Sequence, residues 1–477
     1  MIVPVPHLQP SAARLTASTS GVEPVFVNMG GDQQQHSGHL HALVESSQQP
    51  MTPDWDAWAQ ILALGAPLAG RTPFSGVHRL QPGETAQHDG EQWQLSQPEW
   101  LWERIEPEPA LKPEDLTSDV VQALRERIRG LEGPLNPMLS GGRDSRLLTA
   151  LAAGQRDQVT AWTTSSDTGT SMEELVAAKV AAILGVEQRI VPARHEAFSQ
   201  DFLDYAATVD YMASFHIWLM PVAHQLGNQP QKQQGTILDG LGGGVFLGGG
   251  FPDGPQVSES TPSAGQVVDS RFTRIARYLE AADEILAPGV AQNLMERAKA
   301  DFEPIAHHYA DHPNGATLTA YLTRTLPGIS MAPARVLGGA QATTTPIVDD
   351  AVITETLRIP HHKKYGGIWY PHLLETADQR LTGVPTAADL TAKRQHVRRG
   401  ASHAAAQWYR SLLLNSPVGE LLSEKMRGAE APEWSQQLAK TKPQHLIRGL
   451  AMLALWLQQY QDQLTGSELP FGRPGHV

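Results

Sequence analysis

The eight residues Leu139-Ser140-Gly141-Gly142-Arg143-Asp144-Ser145-Arg146 combine side chains and spacing suited to gripping a polyphosphate. Two adjacent glycines let the backbone approach an anion closely and permit positive φ. Ser140 and Ser145 add hydroxyl donors, and a helix beginning here adds unpaired N–H groups with a favourable dipole. Asp144 is a poor direct partner for phosphate. It is a good ligand for a Mg²⁺ ion that is itself held by phosphate oxygens. Such a loop works only between rigid elements, and both are legible. Upstream, Pro134-Leu135-Asn136-Pro137-Met138 reads as a short buried strand. Downstream, Leu147-Leu148-Thr149-Ala150-Leu151-Ala152-Ala153 is a run of good helix formers.

The neighbouring elements follow the same alternation. Asp115-Leu116-Thr117-Ser118-Asp119 opens a helix with capping residues and early acids, and Val120, Leu124, Ile128 and Leu131 recur at helical spacing. Gln158–Thr164 reads as a second strand. Met172–Leu184 reads as a helix stopped by Gly185, and Gln188–Val191 as a third strand. Strands alternating with helices predict a parallel, doubly wound α/β sheet that binds ligands at the carboxyl ends of its strands. Before it, residues 1 to about 110 are rich in Gln, Ser, Pro and Gly. They hold strand-like pieces such as Val25–Met29 and one helical stretch, Trp55–Leu64.

Composition narrows the classes. The 477 residues suit two domains and a helical extension. Against 37 basic residues stand 50 acidic ones, a net charge of −13, which argues against nucleic acid or an anionic membrane as partner. There is no cysteine, so disulfides, thiolate metal sites and cysteine nucleophiles are excluded. Met1–His7 lacks a secretory n-region and h-region, and no apolar run is long enough to insert in a membrane, so a cytoplasmic location is expected.

Ser-Gly-Gly-x-Asp-Ser after a strand resembles the pyrophosphate loop of the ATP pyrophosphatases, and the closest resemblance is to the synthetase half of the asparagine synthetase family. That family includes β-lactam synthetases and lasso-peptide cyclases, which lack glutaminase activity. The resemblance implies an adenine-nucleotide-hydrolase-like sheet at 113–400, a smaller β-rich N-terminal domain at 1–110, and a helical C-terminal extension at 401–477 packed on the synthetase part. Thr72-Pro73-Phe74 leading to Leu80-Gln81-Pro82-Gly83 looks like the late part of the family's glutaminase domain. That domain normally begins with Met and a nucleophilic Cys, whereas position 2 here is Ile2. The resemblance thus implies a glutaminase remnant that releases no ammonia.

It also implies site residues. ATP is expected against Leu139, Ser140, Gly141, Gly142, Asp144 and Ser145, with Thr164 beside the base. A second signature spans Gly235–Gly250, where the family has Ser-Gly-x-Gly-Ser-Asp-Glu. Here Asp239 replaces the serine and is followed by Gly240, while Gly244 stands in place of a Mg²⁺-binding aspartate and Val245 in place of the next acid. Asp144 and Asp239 are the expected metal ligands, Asp239 compensating for the lost acid; the alternative is a flexible glycine loop without a role. Lys363 and Lys364, after Arg358-Ile359-Pro360, are candidates for the family's phosphate-binding lysine, although its usual position falls near Trp369-Tyr370; a solvated basic turn is the alternative. Arg324 and Asp349 are candidates for the substrate cleft or for a buried ion pair. His36, His39 and His41 read as a solvated loop rather than a metal site.

The implied activity is a carbon–nitrogen ligase using ATP and Mg²⁺. It activates a carboxylate as an acyl-adenylate for attack by an amine, as in ring closure of a peptide or secondary metabolite of lasso-cyclase type. A precursor peptide and leader-processing proteins are the partners that reading implies. Amidation of a small-molecule or sugar carboxylate, and a nucleotide-binding scaffold without catalysis, are the alternatives.

Overall fold

The computed structural model describes residues 14–30, 35–47, 49–96, 100–165, 167–231, 234–250, 262–390 and 396–472; the Met1–His7 start lies outside them. Two small antiparallel sheets come first. In one, β1 (Arg14–Thr16) pairs with β5 (Thr85–His88), which pairs with β6 (Trp93–Leu95). In the other, β2 (Phe26–Asn28) lies between β3 (His36–Ser37) and β4 (Val77–Arg79). The Trp55–Leu64 helix starts where Asp54 accepts from the N–H groups of Asp56 and Ala57, and it stops at Gly65, whose φ of 93° only glycine adopts readily. It packs against the helices Val290–His308 and Thr441–Tyr460 in one continuous core, with Trp58 and Trp456 ring centroids 5.1 Å apart.

The site is positioned by parallel strands. β10 (Thr236–Leu238) lies between β11 (Thr343–Thr344) and β7 (Leu135–Pro137). β8 (Thr160–Thr164) pairs in parallel with β9 (Glu187–Val191), and bridges at Leu135–Val159 and Met138–Trp162 join β7 to β8. The order across is therefore β11-β10-β7-β8-β9. The chain grows outward from β7 to β9 and then returns to the other side of β7 at β10. Where strand order reverses, the loops leaving adjacent strands part and open a crevice. Alternate strand residues enter different cores. Ala161 packs with Leu147 and Val180, whereas Trp162 belongs with Val222 and Leu226; Leu238 and Ile237 divide in the same way.

Several local expectations are met: helices at Thr117–Arg129, Arg143–Ala153 and Met172–Leu184, the last ended by Gly185 at φ 71°, and C-terminal helices at His403–Leu414 and Thr441–Tyr460. The stretch after the sheet is less regular, with Tyr321–Ile329 and Ala332–Leu337 wound as π-helix. Pro327 and Pro333 lie in these runs and supply no N–H to an ordinary α-helical ladder. The three histidines differ from expectation. His36 is buried in β3 with its ring edge-on to Trp93, His39 Nε2 is 3.1 Å from an Arg335 nitrogen, and His41 Nδ1 is 2.9 Å from the Tyr460 hydroxyl. Pairing of β3 onto β2 pulls the segment inward, and no local pattern announces that pairing. Among the described residues no group of three or more His, Asp or Glu is placed to hold a metal ion. No described helix is long and apolar enough to cross a membrane.

Candidate functional site

The loop leaving β7 is braced by its own hydroxyls. Ser140 Oγ accepts from Gly142 N at 3.1 Å and lies 3.0 Å from Ser145 Oγ, which accepts from Ser140 N at 3.1 Å. Gly141 is held on both sides: its N–H donates to Glu173 Oε2 at 2.7 Å, and its carbonyl accepts from Ala387 N at 3.1 Å. A β-carbon at 141 would sit 2.6 Å from that of Ala387, so glycine is required by packing. Asp144 lies in the first turn of the Arg143–Ala153 helix, where a carboxylate offsets the positive end of the helix dipole.

The loop leaving β10 meets it. Asp239 N donates to Thr344 O at 3.0 Å, extending the ladder by one residue, and Asp239 Oδ1 then accepts from Leu241 N at 2.8 Å. A β-carbon on Gly240 would lie 3.0 Å from Asp144 Cβ, and one on Gly243 would lie 2.1 Å from Asp144 Cγ. The glycine run is what lets this backbone lie against the Asp144 carboxylate. Gly244 differs: it is exposed, and nothing lies within 4 Å of a β-carbon placed there.

Asp144 and Asp239 therefore face one crevice. Burial pushes the Asp144 carboxyl up to about 6; the Tyr370 hydroxyl, which donates to Asp144 Oδ1, opposes the rise, and Asp239 adds to it. Burial likewise pushes Asp239 up to about 6 against the Leu241 N–H. Two half-buried carboxylates, each disfavoured in its charged form by burial, suit a divalent cation completed by phosphate oxygens, because Mg²⁺ typically takes only one or two carboxylates in such sites.

The crevice is a cavity of about 510 Å³. Leu139, Ser140, Gly142, Asp144, Ser145, Thr164, Asp239 and Gly240 all line it, which brings the expected nucleotide residues together. Gly141 is the exception, engaged behind the loop by Glu173 and Ala387. Thr164 closes β8 with its hydroxyl buried and without a hydrogen-bond partner.

The two lysines are not brought there. Lys363 Nζ donates to the carbonyls of Pro109 and Leu111 at 2.6 and 2.8 Å. Lys364 is fully buried, its Nζ donating to Thr356 O at 2.5 Å near the end of the Asp350–Leu357 helix. Burial lowers its pKa to about 7. Neither lines the cavity, so the expected role for them as phosphate-binding lysines is corrected. They cap backbone carbonyls instead, because the turn after Pro360 directs both side chains away from the glycine loop. Asp349 also serves the framework, accepting from Ala351 N as a helix cap and lying 3.2 Å from Arg127. Arg324 does line the cavity.

Sequence reasoning missed Tyr370 and the second wall. Tyr370 opens the Tyr370–Ala377 helix, is buried, and bonds Asp144; burial and the neighbouring Asp144 hold its phenol protonated. The available signal was its place where the resemblance expects a lysine. The second wall comes from His216, Trp218 and Leu219 and from the π-helical runs, whose winding no periodicity revealed.

A family model described as asparagine synthase matches residues 115–458, well over half of the 477-residue chain. No curated protein matches it.

Proposed function

Because the chain belongs to the asparagine synthase family, we propose that it is an ATP-dependent amide-forming ligase working through an acyl-adenylate. The observation that carries this reading is the meeting of Asp144 and Asp239 at the reversal point, beside a phosphate-loop geometry and the cavity reaching Thr164. A carboxylate oxygen of the substrate attacks the α-phosphorus of ATP. The bond to the bridging oxygen breaks and pyrophosphate leaves with the electron pair. An amine then adds to the acyl carbon, AMP departs, and the amine proton passes to solvent. Catalysis of such a transfer is mostly alignment and charge stabilisation. Ser140, Gly142 and Ser145 hold the departing phosphates, and Thr164 borders the base. Asp144 and Asp239 would hold Mg²⁺, which supplies positive charge against the phosphate oxygens.

With no cysteine in the chain, there is no thiol to release ammonia from glutamine. We favour an amine carried by the substrate itself or by a second substrate, as in ring closure of a peptide or secondary metabolite by lasso-peptide cyclases, with amidation by free ammonia as the alternative. Exchange of labelled pyrophosphate into ATP, driven by the cognate carboxylate, tests the reading. Asp144→Ala abolishes the exchange, and full exchange in that variant refutes the assignment. A second reading is a nucleotide-binding scaffold without catalysis, favoured by Tyr370 in place of the lysine and by the bare Gly244. It predicts ATP binding that Asp144→Ala weakens, with no exchange for any carboxylate.

A further inference from the structure

The second wall of the cavity carries one kind of charge on an apolar surface. Arg324 is the only lysine or arginine lining the cavity among the described residues. It projects from the π-helical Tyr321–Ile329 run, and such windings recur at functional sites. Around it the lining is Trp218, Leu219, Ile329, Ala332 and Pro333, with Thr325 as the adjoining polar residue. His216 also lines the cavity but adds no charge near neutral pH: burial, then Arg324 and Arg448, lower its pKa to about 4. Its Nδ1 is buried and makes no hydrogen bond. The guanidinium stays charged even when burial lowers its pKa, because arginine starts so high.

We infer that the acyl substrate is a carboxylate carried on an apolar body, its carboxylate received by Arg324 and its body lying on Trp218, Leu219 and Ile329. This rests on the adenylation reading and names the substrate class for it. A guanidinium fork matches a carboxylate in two parallel hydrogen bonds and holds its oxygens for attack on phosphorus. Once the adenylate forms, the same cation faces the phosphoryl anion of the mixed anhydride in place of the carboxylate, so no charge is stranded. A small dicarboxylate such as succinate or aspartate would put its second carboxylate on the tryptophan and isoleucine surface with no second cationic side chain in the described lining to pair it, which is costly. An alkyl or aryl body instead gains from leaving water.

The test is calorimetric titration of the full chain loaded with Mg²⁺ and α,β-methylene-ATP, which cannot release pyrophosphate. The probes are acetate, butyrate, hexanoate, 3-phenylpropionate, succinate and aspartate. Affinity rises about four-fold per added methylene from acetate to hexanoate. Hexanoate and 3-phenylpropionate bind at least ten-fold tighter than succinate or aspartate. Arg324→Gln loses at least ten-fold for hexanoate while the nucleotide analogue binds within three-fold of wild type, and Arg324→Lys recovers part of the loss. Trp218→Ser weakens hexanoate more than acetate, a readout that remains if Arg324→Gln fails to fold. Tightest binding of aspartate or succinate overturns the inference. So does no carboxylate binding to nucleotide-loaded protein, or an Arg324→Gln variant that binds hexanoate as wild type does. Failure of the wild type to bind the nucleotide analogue is a different outcome and removes the adenylation reading beneath it.

Discussion

Replacing Gly243 by alanine, with Gly244→Ala as its partner, separates the two glycine roles in the loop after β10. At 243 the new β-carbon would stand 2.1 Å from Asp144 Cγ and 2.2 and 2.6 Å from its two oxygens, whereas ordinary contact begins at 3.4 Å. The carboxylate must therefore retreat by more than 1 Å, or the two loops must separate by as much. Misplacement on that scale costs roughly 10²-fold in rate for a reaction that depends on alignment. Stability moves far less. Gly243 sits in the short Gly243–Phe246 helix, where alanine recovers about 1 kcal/mol of helix propensity against about 1–3 kcal/mol of overpacking. Gly244, one residue on in the same helix, has open space around its β-carbon. Gly244→Ala therefore gains the propensity and leaves Asp144 in place. The assay is pyrophosphate exchange alongside calorimetric titration with MgATP and a melting curve for each variant. The expected result is a loss of about 10²-fold in exchange for Gly243→Ala and a change within about 3-fold for Gly244→Ala. Equal behaviour of the two variants, or normal exchange in Gly243→Ala, refutes the claim that the glycine run exists to admit Asp144.

Three further predictions concern the surroundings of the site. Tyr370→Phe removes a buried hydrogen bond to a carboxylate, so urea denaturation is expected to show a loss of about 1.5–3 kcal/mol, and a loss below about 0.5 kcal/mol would show the contact to be idle. Lys364 has a folded pKa of about 7 against an ordinary 10.5, so between these values the unfolded chain holds more protons and stability climbs with pH; below 7 both states are charged and the full penalty persists. That penalty is on the order of 3–5 kcal/mol, and Lys364→Met should relieve it at pH 6–7 and flatten the rise in melting temperature between pH 7 and 10; parallel wild-type and variant profiles would contradict it. Arg399 is buried between Asp167 and Asp201, and Arg399→Met strips the guanidinium from Asp201 while Asp167 keeps the residue-399 backbone N–H, for a loss of about 3–5 kcal/mol measured by denaturant titration; a neutral substitution would show that the pair is solvated in practice.

Local chemistry was enough for part of this site. Leu139–Ser145 was legible because its glycines, hydroxyls and acid act within one strand–turn–helix unit, where sequence neighbours are also spatial neighbours. The helix from Met172 to Leu184 was legible for the same reason, since Gly185 ends it by a backbone conformation that is a property of one residue. Lys363 and Lys364 were misread because the direction of a side chain in a four-residue helical turn depends on what packs against it. His36 was misread as part of a solvated loop because strand pairing joins segments that no window spans.

The sequence by itself determined a loop of glycines and hydroxyls between a strand and a helix, with a carboxylate at the helix start, an alternation of strands and helices, and a chain without a thiol. Only the tertiary structure decided what surrounds that carboxylate. Parallel pairing of β7 with β10 brings Asp239 and Gly243 to Asp144, and packing of the Tyr370–Ala377 helix brings a phenol from 226 residues away. It also put Arg324, and neither lysine, in the cavity. The physical reason is that parallel strands join only through long crossovers, so their pairing partners and the side chains delivered between their ends are fixed by burial across the whole chain rather than by any local pattern.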